Sequence, residues 1–175
     1  MQLVLIAAQS LDGFITRHDQ PGAGFTSPED KVWFGRALQD FDASILGGAT
    51  YRAEHTLFLA SRKPGRRRLV MTRQPAAYAA DAVPGVLEFT AEAPAALVES
   101  LVGAGHRRCA LLGGAQIHRQ FLEAGLVDEL WITLEPRLFG SGTPLVGGNV
   151  DISLKLLSTE SLGGDSQLVR YAVRR

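Results

Sequence analysis

The 175-residue chain has one cysteine, Cys109, so no disulfide or Cys-x-x-Cys site forms within it, and its composition suits the cytoplasm. Its four histidines, His18, His55, His106 and His118, are scattered without His-x-His or His-Glu-x-x-His spacing, and no metal centre is expected. A P-loop, a Gly-x-Ser-x-Gly elbow and a Gly-x-Gly-x-x-Gly run are all missing. No apolar run reaches membrane length and no secretory leader is expected, so a membrane partner is not expected either. Net charge is zero, which argues against a general nucleic-acid surface. Hydrophobic residues make up 46%, which argues against disorder. The length fits one domain over residues 1–175, able to bury about 70% of its unfolded surface.

What the chain does have is one turn in two copies. Residues 109–112 read as a strand buried on both faces. Gly113 and Gly114 follow at once, and Ile117, Phe121 and Leu122 then recur at helical spacing up to Gly125. In such a strand, glycine pair and helix, free N–H groups and the positive end of the helix dipole favour an anion. The same turn also serves as a plain connection that binds nothing, and one copy does not decide between them. Residues 44–46 followed by Gly47, Gly48, Ala49 and Thr50 repeat the pattern. Two such turns in one small domain suit two parts of one extended anionic ligand, as a dinucleotide requires. The candidate contacts are Gly47, Gly48, Ala49 and Thr50 on one turn, and Gly113, Gly114, Ala115, Gln116 and Ile117 on the other.

Residues 2–8 form an apolar run read as a central strand, and the small Ala7 and Ala8 leave room for a flat ring or for close helix packing. Ser10-Leu11-Asp12-Gly13 turns the chain, and Phe14-Ile15-Thr16 is expected to resume an extended path. Residues 18–26, with Pro21, Gly22 and Gly24, read as a mobile loop. The basic run over residues 62–68 is expected to be a solvated loop between elements, with attraction of phosphate as the lesser reading. A strand over residues 68–75 delivers Thr72 and Arg73 at its C-terminal end, the usual ligand side of open α/β sheets. Guanidinium matches phosphate geometry, so Arg73 is the candidate for the extra phosphate of NADP; a solvated turn arginine is the other reading. Further on, the pattern gives a strand at 86–90, a helix at 94–104 and a strand at 128–136 with Leu130, Ile132 and Leu134 on one face. Strands at 154–158 and 168–174 turn through Gly163-Gly164-Asp165. The sum is an α/β fold: a mixed, mostly parallel sheet with an antiparallel C-terminal hairpin and helices on both faces.

Ser27-Pro28-Glu29-Asp30 is a helix start, with Ser27 as N-cap, proline at the first helical position and acids in the first turn. Trp33, Phe34, Ala37, Leu38 and Phe41 then share the face that packs on the sheet. Asp30 carries two readings. It completes a variant capping box three residues after Ser27, or it is a partly buried proton donor beside a cofactor pocket.

The order of elements, the glycine turns and the helix carrying Asp30 resemble the dihydrofolate reductase fold over nearly the whole chain. Residues 30–36 are similar to the substrate-site helix of those reductases, whose acid falls on Asp30. Gly47 and Thr50 resemble their first cofactor turn, Leu112-Gly113-Gly114 with Ile117, Gln120, Phe121 and Leu122 their second, and Thr72 and Arg73 the strand end near the 2′-phosphate. Ser10-Leu11-Asp12-Gly13, residues 48–54, Leu126-Val127-Asp128-Glu129-Leu130 and residues 135–140 look more like the reductase half of the riboflavin-pathway deaminase-reductase. Gly48 stands where dihydrofolate reductases usually carry arginine, and Leu112 where the riboflavin reductases usually carry glutamate. The resemblance implies a three-layer reductase using NADPH, its pyrophosphate between the turns and its nicotinamide near Ala8 and Ile15. Asp30 and Phe34 then meet a small heterocyclic substrate, with Asp30 as proton relay and Asp12 as the other acid near the nicotinamide. A cytoplasmic homodimer is implied as well. The alternatives are a dihydrofolate reductase-like pterin reductase and a nucleotide-binding module without catalysis.

Overall fold

The computed structural model describes residues 1–60 and 65–174. Its strands are β1 (Gln2–Ser10), β2 (Ala43–Gly47), β3 (Arg67–Met71), β4 (Leu87–Thr90), β5 (Arg108–Leu111), β6 (Glu129–Glu135), β7 (Leu154–Gly163) and β8 (Ser166–Val173). Its helices are α1 (Pro28–Ala37), α2 (Gly48–Ala53), α3 (His55–Ala60), α4 (Pro94–Gly103) and α5 (Ala115–Glu123). All the strands join one sheet in the order β4-β3-β2-β5-β1-β6-β8-β7. Pairing is parallel from β4 to β6, and antiparallel where β8 meets β6 and β7.

Burial explains the layers. Leu3, Leu5, Ile45 and Leu111 on one sheet face pack with Leu97 and Leu101 of α4 and Phe121 of α5. Val4, Ile6 and Ala110 on the other face pack with Leu38 and Phe41, just past α1. Ser27 caps α1 by accepting from the Asp30 backbone N–H at 3.1 Å. The hairpin turn holds Gly164 and Asp165 at φ 57° and 66°, the backbone that a two-residue turn with the strands' own twist demands.

Residues 14–16 lie outside the named strands, where Phe14 makes an isolated bridge to Pro144 and loop contacts hold the segment. Two expectations change. The hairpin strands are longer than their apolar cores, because β7 is an edge strand whose exposed side chains hide the alternation. The basic run is not all solvated loop. Residues 61–64 lie outside the described residues, but Arg67 and Arg68 open β3, and Arg67 pairs with Glu88 at 2.6 Å. Arginine's long apolar stem allows such placement.

Candidate active site

The two glycine turns meet. Gly47 N–H donates to Gly113 O at 2.6 Å, and Leu112 N–H donates to Ile45 O at 2.8 Å, so the ends of β2 and β5 form one ledge. A Cβ on Gly47 would lie 2.8 Å from Ile117 Cγ1, and one on Gly113 3.0 Å from His118 Nε2 at φ +96°. Those two glycines are required by the protein itself. Gly114 is different: its Cβ would meet only Thr50 Oγ1, at 3.5 Å. A Cβ on Gly48 would lie 3.3 Å from Arg52 Nη1 and 3.5 Å from Thr72 Cβ. Ala49 and Gln116 are exposed and Ala115 is buried, so backbone rather than side chains lines much of the ledge. Arg73 is exposed beyond Thr72 and has no ion pair among the described residues.

Behind the second turn sits His118, 1% exposed. Its Nδ1 lies 2.7 Å from Leu145 O and so carries the proton, which leaves Nε2 an acceptor with no partner among the described residues, on the side of Gly113. Burial holds this imidazole's pKa down to about 4, against the smaller opposing effect of the Leu145 carbonyl. The unfolded chain therefore takes up the His118 proton below about pH 6.5 while the folded chain refuses it until about pH 4. Stability should fall by roughly 1.4 kcal/mol per pH unit across that window, about 3 kcal/mol in all. Urea unfolding of wild type and His118→Gln at pH 7 and pH 4.5 measures this; the variant should lose most of the difference between the two pH values. An unchanged difference would remove His118 as its source.

The other half of the site lies at the end of β1. Although β1 is central, Ala7, Ala8 and Gln9 are only half-buried, an opening in the cover of the sheet. Ala8 is in register with Thr133 of β6. Across that pair stands Asp30, 6% exposed. Burial pushes its carboxyl above the usual aspartate range and the Glu135 charge adds to that, while the Thr133 and Thr26 hydroxyls and Lys31 pull the other way. Among the described residues Thr133 Oγ1 still makes no regular hydrogen bond. Phe34 lies one helical turn beyond Asp30, half-buried on the same face.

The capping reading of Asp30 is divided by the structure. Its backbone N–H serves the cap, but the reciprocal bond to Ser27 N–H comes from Glu135 Oε1, at 2.9 Å. Glu135 also accepts from the Ser27 hydroxyl at 3.0 Å and the Ser166 hydroxyl at 2.9 Å. With that place taken, the Asp30 carboxyl is free to face Thr133. Thr133, Glu135 and His118 were not singled out as site residues from the sequence. Alternation in β6 holds the signal for two of them: with Leu130, Ile132 and Leu134 on one face, Trp131, Thr133 and Glu135 fall on the other.

Asp12 has other work. Its carboxylate accepts from the Ser10 hydroxyl at 2.5 Å and from the Phe139 and Gly140 N–H groups at 3.1 and 2.6 Å. The Ser10 bond, then Gly140, holds its pKa below the usual aspartate value. That is a charged brace between two loops. Ile15 N–H donates to Thr143 O at 2.8 Å, and Leu145 N–H donates to Gly13 O at 3.0 Å. Gly147 N–H reaches Ala115 O at 3.1 Å. One strap thus ties the loop carrying Ile15 to the second glycine turn.

The sequence matches the RibD C-terminal domain family over residues 2–168. This chain belongs to that family. It is 30% identical over 170 residues to the uncharacterized protein YwjB of Bacillus subtilis, covering 94% of each chain. It superimposes on Acinetobacter baumannii RibD with a TM-score of 0.81 at 17% identity, over 99% of this chain and 58% of that one. It also superimposes on Enterococcus faecalis dihydrofolate reductase complexed with NADP(H), with a TM-score of 0.69 at 17% identity, over 99% and 97%. The fold is that of the dihydrofolate reductases. Among the described residues no helix is long and apolar enough to cross a membrane, and no cluster of three potential metal ligands occurs.

Proposed function

We propose that this RibD-family chain is an NADPH-dependent reductase resembling 5-amino-6-(5-phosphoribosylamino)uracil reductase, delivering hydride to a heterocyclic or ribosylamino substrate in the cytoplasm. The observation that carries this reading is the meeting of both glycine turns beside the opening at Ala8, one strand from a buried acid. The residues present fit a dinucleotide. Gly48, Ala49, Thr50, Gly114, Ala115, Gln116 and Ile117 would hold its pyrophosphate, and the unpartnered His118 Nε2 lies just behind that turn. Thr72 and Arg73 would meet the 2′-phosphate, and Ala8 and Ile15 the nicotinamide. The dinucleotide supplies hydride when bound. The chain's share is to orient the reactants and exclude water, while Asp30 holds a proton next to Thr133 and Phe34 walls the substrate. A pterin reductase is the second reading, favoured by the buried acid on α1.

The cofactor is tested by thermal unfolding. NADPH at a hundredfold excess over its Kd should stabilise the fold by about 2.7 kcal/mol, a rise in Tm of roughly 5–10 °C. NADH should do less, because it lacks the phosphate for Arg73. Equal shifts, or none, count against Thr72 and Arg73. Oxidation of NADPH with a panel of ribosylaminopyrimidines and pterins then separates the two substrate readings, and a chain that binds NADPH yet turns over none of them is the non-catalytic module.

A homodimer is the expected assembly. The edge strand β7 exposes Leu154, Leu156 and Leu157 at 37, 55 and 47%, apolar surface that an edge rarely leaves bare. Sedimentation should give twice the chain mass, and Leu156→Lys should lower it. A wild-type monomer would end this assignment.

A further inference from the structure

The buried side-chain polar atoms without a hydrogen-bond partner among the described residues fall into two groups. Thr133 Oγ1 and His118 Nε2 belong to the candidate active site. Ser44 Oγ, Arg66 Nε and Arg68 Nη1 do not. Ser44 and Arg68 are register partners near the starts of β2 and β3, at the opposite end of these strands from the glycine turns. Ser44 stands three residues, about 10 Å, before Gly47. Arg66 stands two positions before Arg68, its Nη1 donating to Leu38 O at 2.7 Å.

Arg68 is 6% exposed, and its guanidinium has neither a hydrogen bond nor an ion pair among the described residues. Nearby acids are engaged elsewhere. Glu88 takes Arg67, and Asp42 takes the backbone N–H groups of Arg107 and Arg108. Burial disfavours the charged form of Arg66, and the neighbouring Arg68 charge adds to that. Burial does the same to Arg68. Arginine cannot escape by losing its proton, so an unpaired buried guanidinium is a standing cost to the fold. Two guanidinium groups and a hydroxyl donor with no anion among them are the donor set for an oxyanion, which they meet in forked geometry. We propose that Ser44, Arg66 and Arg68 form a second anion site, taking a phosphate group either free or carried on a small metabolite. The site is independent of the reductase assignment.

The experiment is thermal unfolding in chloride at fixed ionic strength, with inorganic phosphate or glycerol 3-phosphate titrated in, for wild type, Arg68→Met and Ser44→Ala. At ten times its Kd the bound anion should raise wild-type Tm by roughly 3–6 °C. Arg68→Met should lose most of that rise and, without phosphate, match or exceed wild-type Tm, because methionine keeps the apolar stem and removes the lone charge. Ser44→Ala should bind more weakly. A response to inorganic phosphate alone identifies a closed site for the free ion, and a response to both identifies one open to a phosphomonoester. If Arg68→Met does not fold, Arg66→Gln takes its place, with the same loss expected. No rise in wild type, or an equal rise in wild type and the arginine variant, would overturn the proposal, the second result assigning the phosphate to the glycine turns.

Discussion

Gly114→Val should sharply weaken NADPH binding in a chain that still folds. Gly114 sits at φ −84° and ψ −161°, extended backbone that valine adopts freely. Its added Cβ would meet only Thr50 Oγ1, at the ordinary contact distance of 3.5 Å. The side chain would then fill the space before the first N–H groups of α5, where a pyrophosphate needs to approach the backbone. Gly113 gives no such test, because φ +96° and the His118 ring 3.0 Å away make any side chain there a folding defect. The expected loss of affinity is on the order of 100-fold or more, about 2.7 kcal/mol. Fluorescence titration with NADPH measures it, and circular dichroism checks the fold. Unchanged affinity in a folded Gly114→Val chain would make this turn a plain strand-to-helix connection.

That Gly114 was visible in the sequence at all follows from local rules. A buried strand, a glycine pair and a 3.6-residue apolar repeat are each set by residues close in the chain, so both turns were legible. So was Ser27 as a cap, because a cap acts over three residues. What escaped depends on register. Asp30 and Glu135 are 105 positions apart, and only the pairing of β6 with β1, and of α1 with both, brings them to one place. The Glu135-Pro136 pair gave no local sign that its acid is 1% exposed. His118 lies on a helix whose apolar face was read from Ile117, Phe121 and Leu122, and its role came from a strap that returns at Leu145. Arg67 was legible as charge but not as strand, because composition cannot tell a solvated arginine from one whose stem is buried in a sheet.

Asp30→Asn should lower turnover by roughly 10²–10⁴-fold, the usual worth of general acid–base help, with NADPH affinity nearly unchanged. The variant keeps what the helix needs. The Asp30 backbone N–H still donates to Ser27 Oγ, and Glu135 still holds Ser27 N–H. Stability should therefore hold, and the sign of the pKa shift says more. Burial and the Glu135 charge raise the Asp30 pKa in the folded chain, so its stabilising share is present at low pH and is lost as pH rises through the raised value. At pH 7 the wild-type carboxyl is thus a cost that asparagine lacks, and Asp30→Asn should melt at the same temperature or higher. The raised pKa also keeps the proton available further towards neutral pH, so wild-type activity should fall on the alkaline side as that proton is lost. Asp30→Asn should show no such limb in its residual rate. Glu135→Gln removes the charge that helps to raise Asp30, so its limb should move to lower pH while Ser27 keeps a hydrogen-bond acceptor. Wild-type turnover in Asp30→Asn, with whichever substrate proves active, would end the catalytic reading. The Asp30 carboxyl would then be a buried acid that the fold tolerates beside Thr133, and the proton would have to come from solvent or from the substrate.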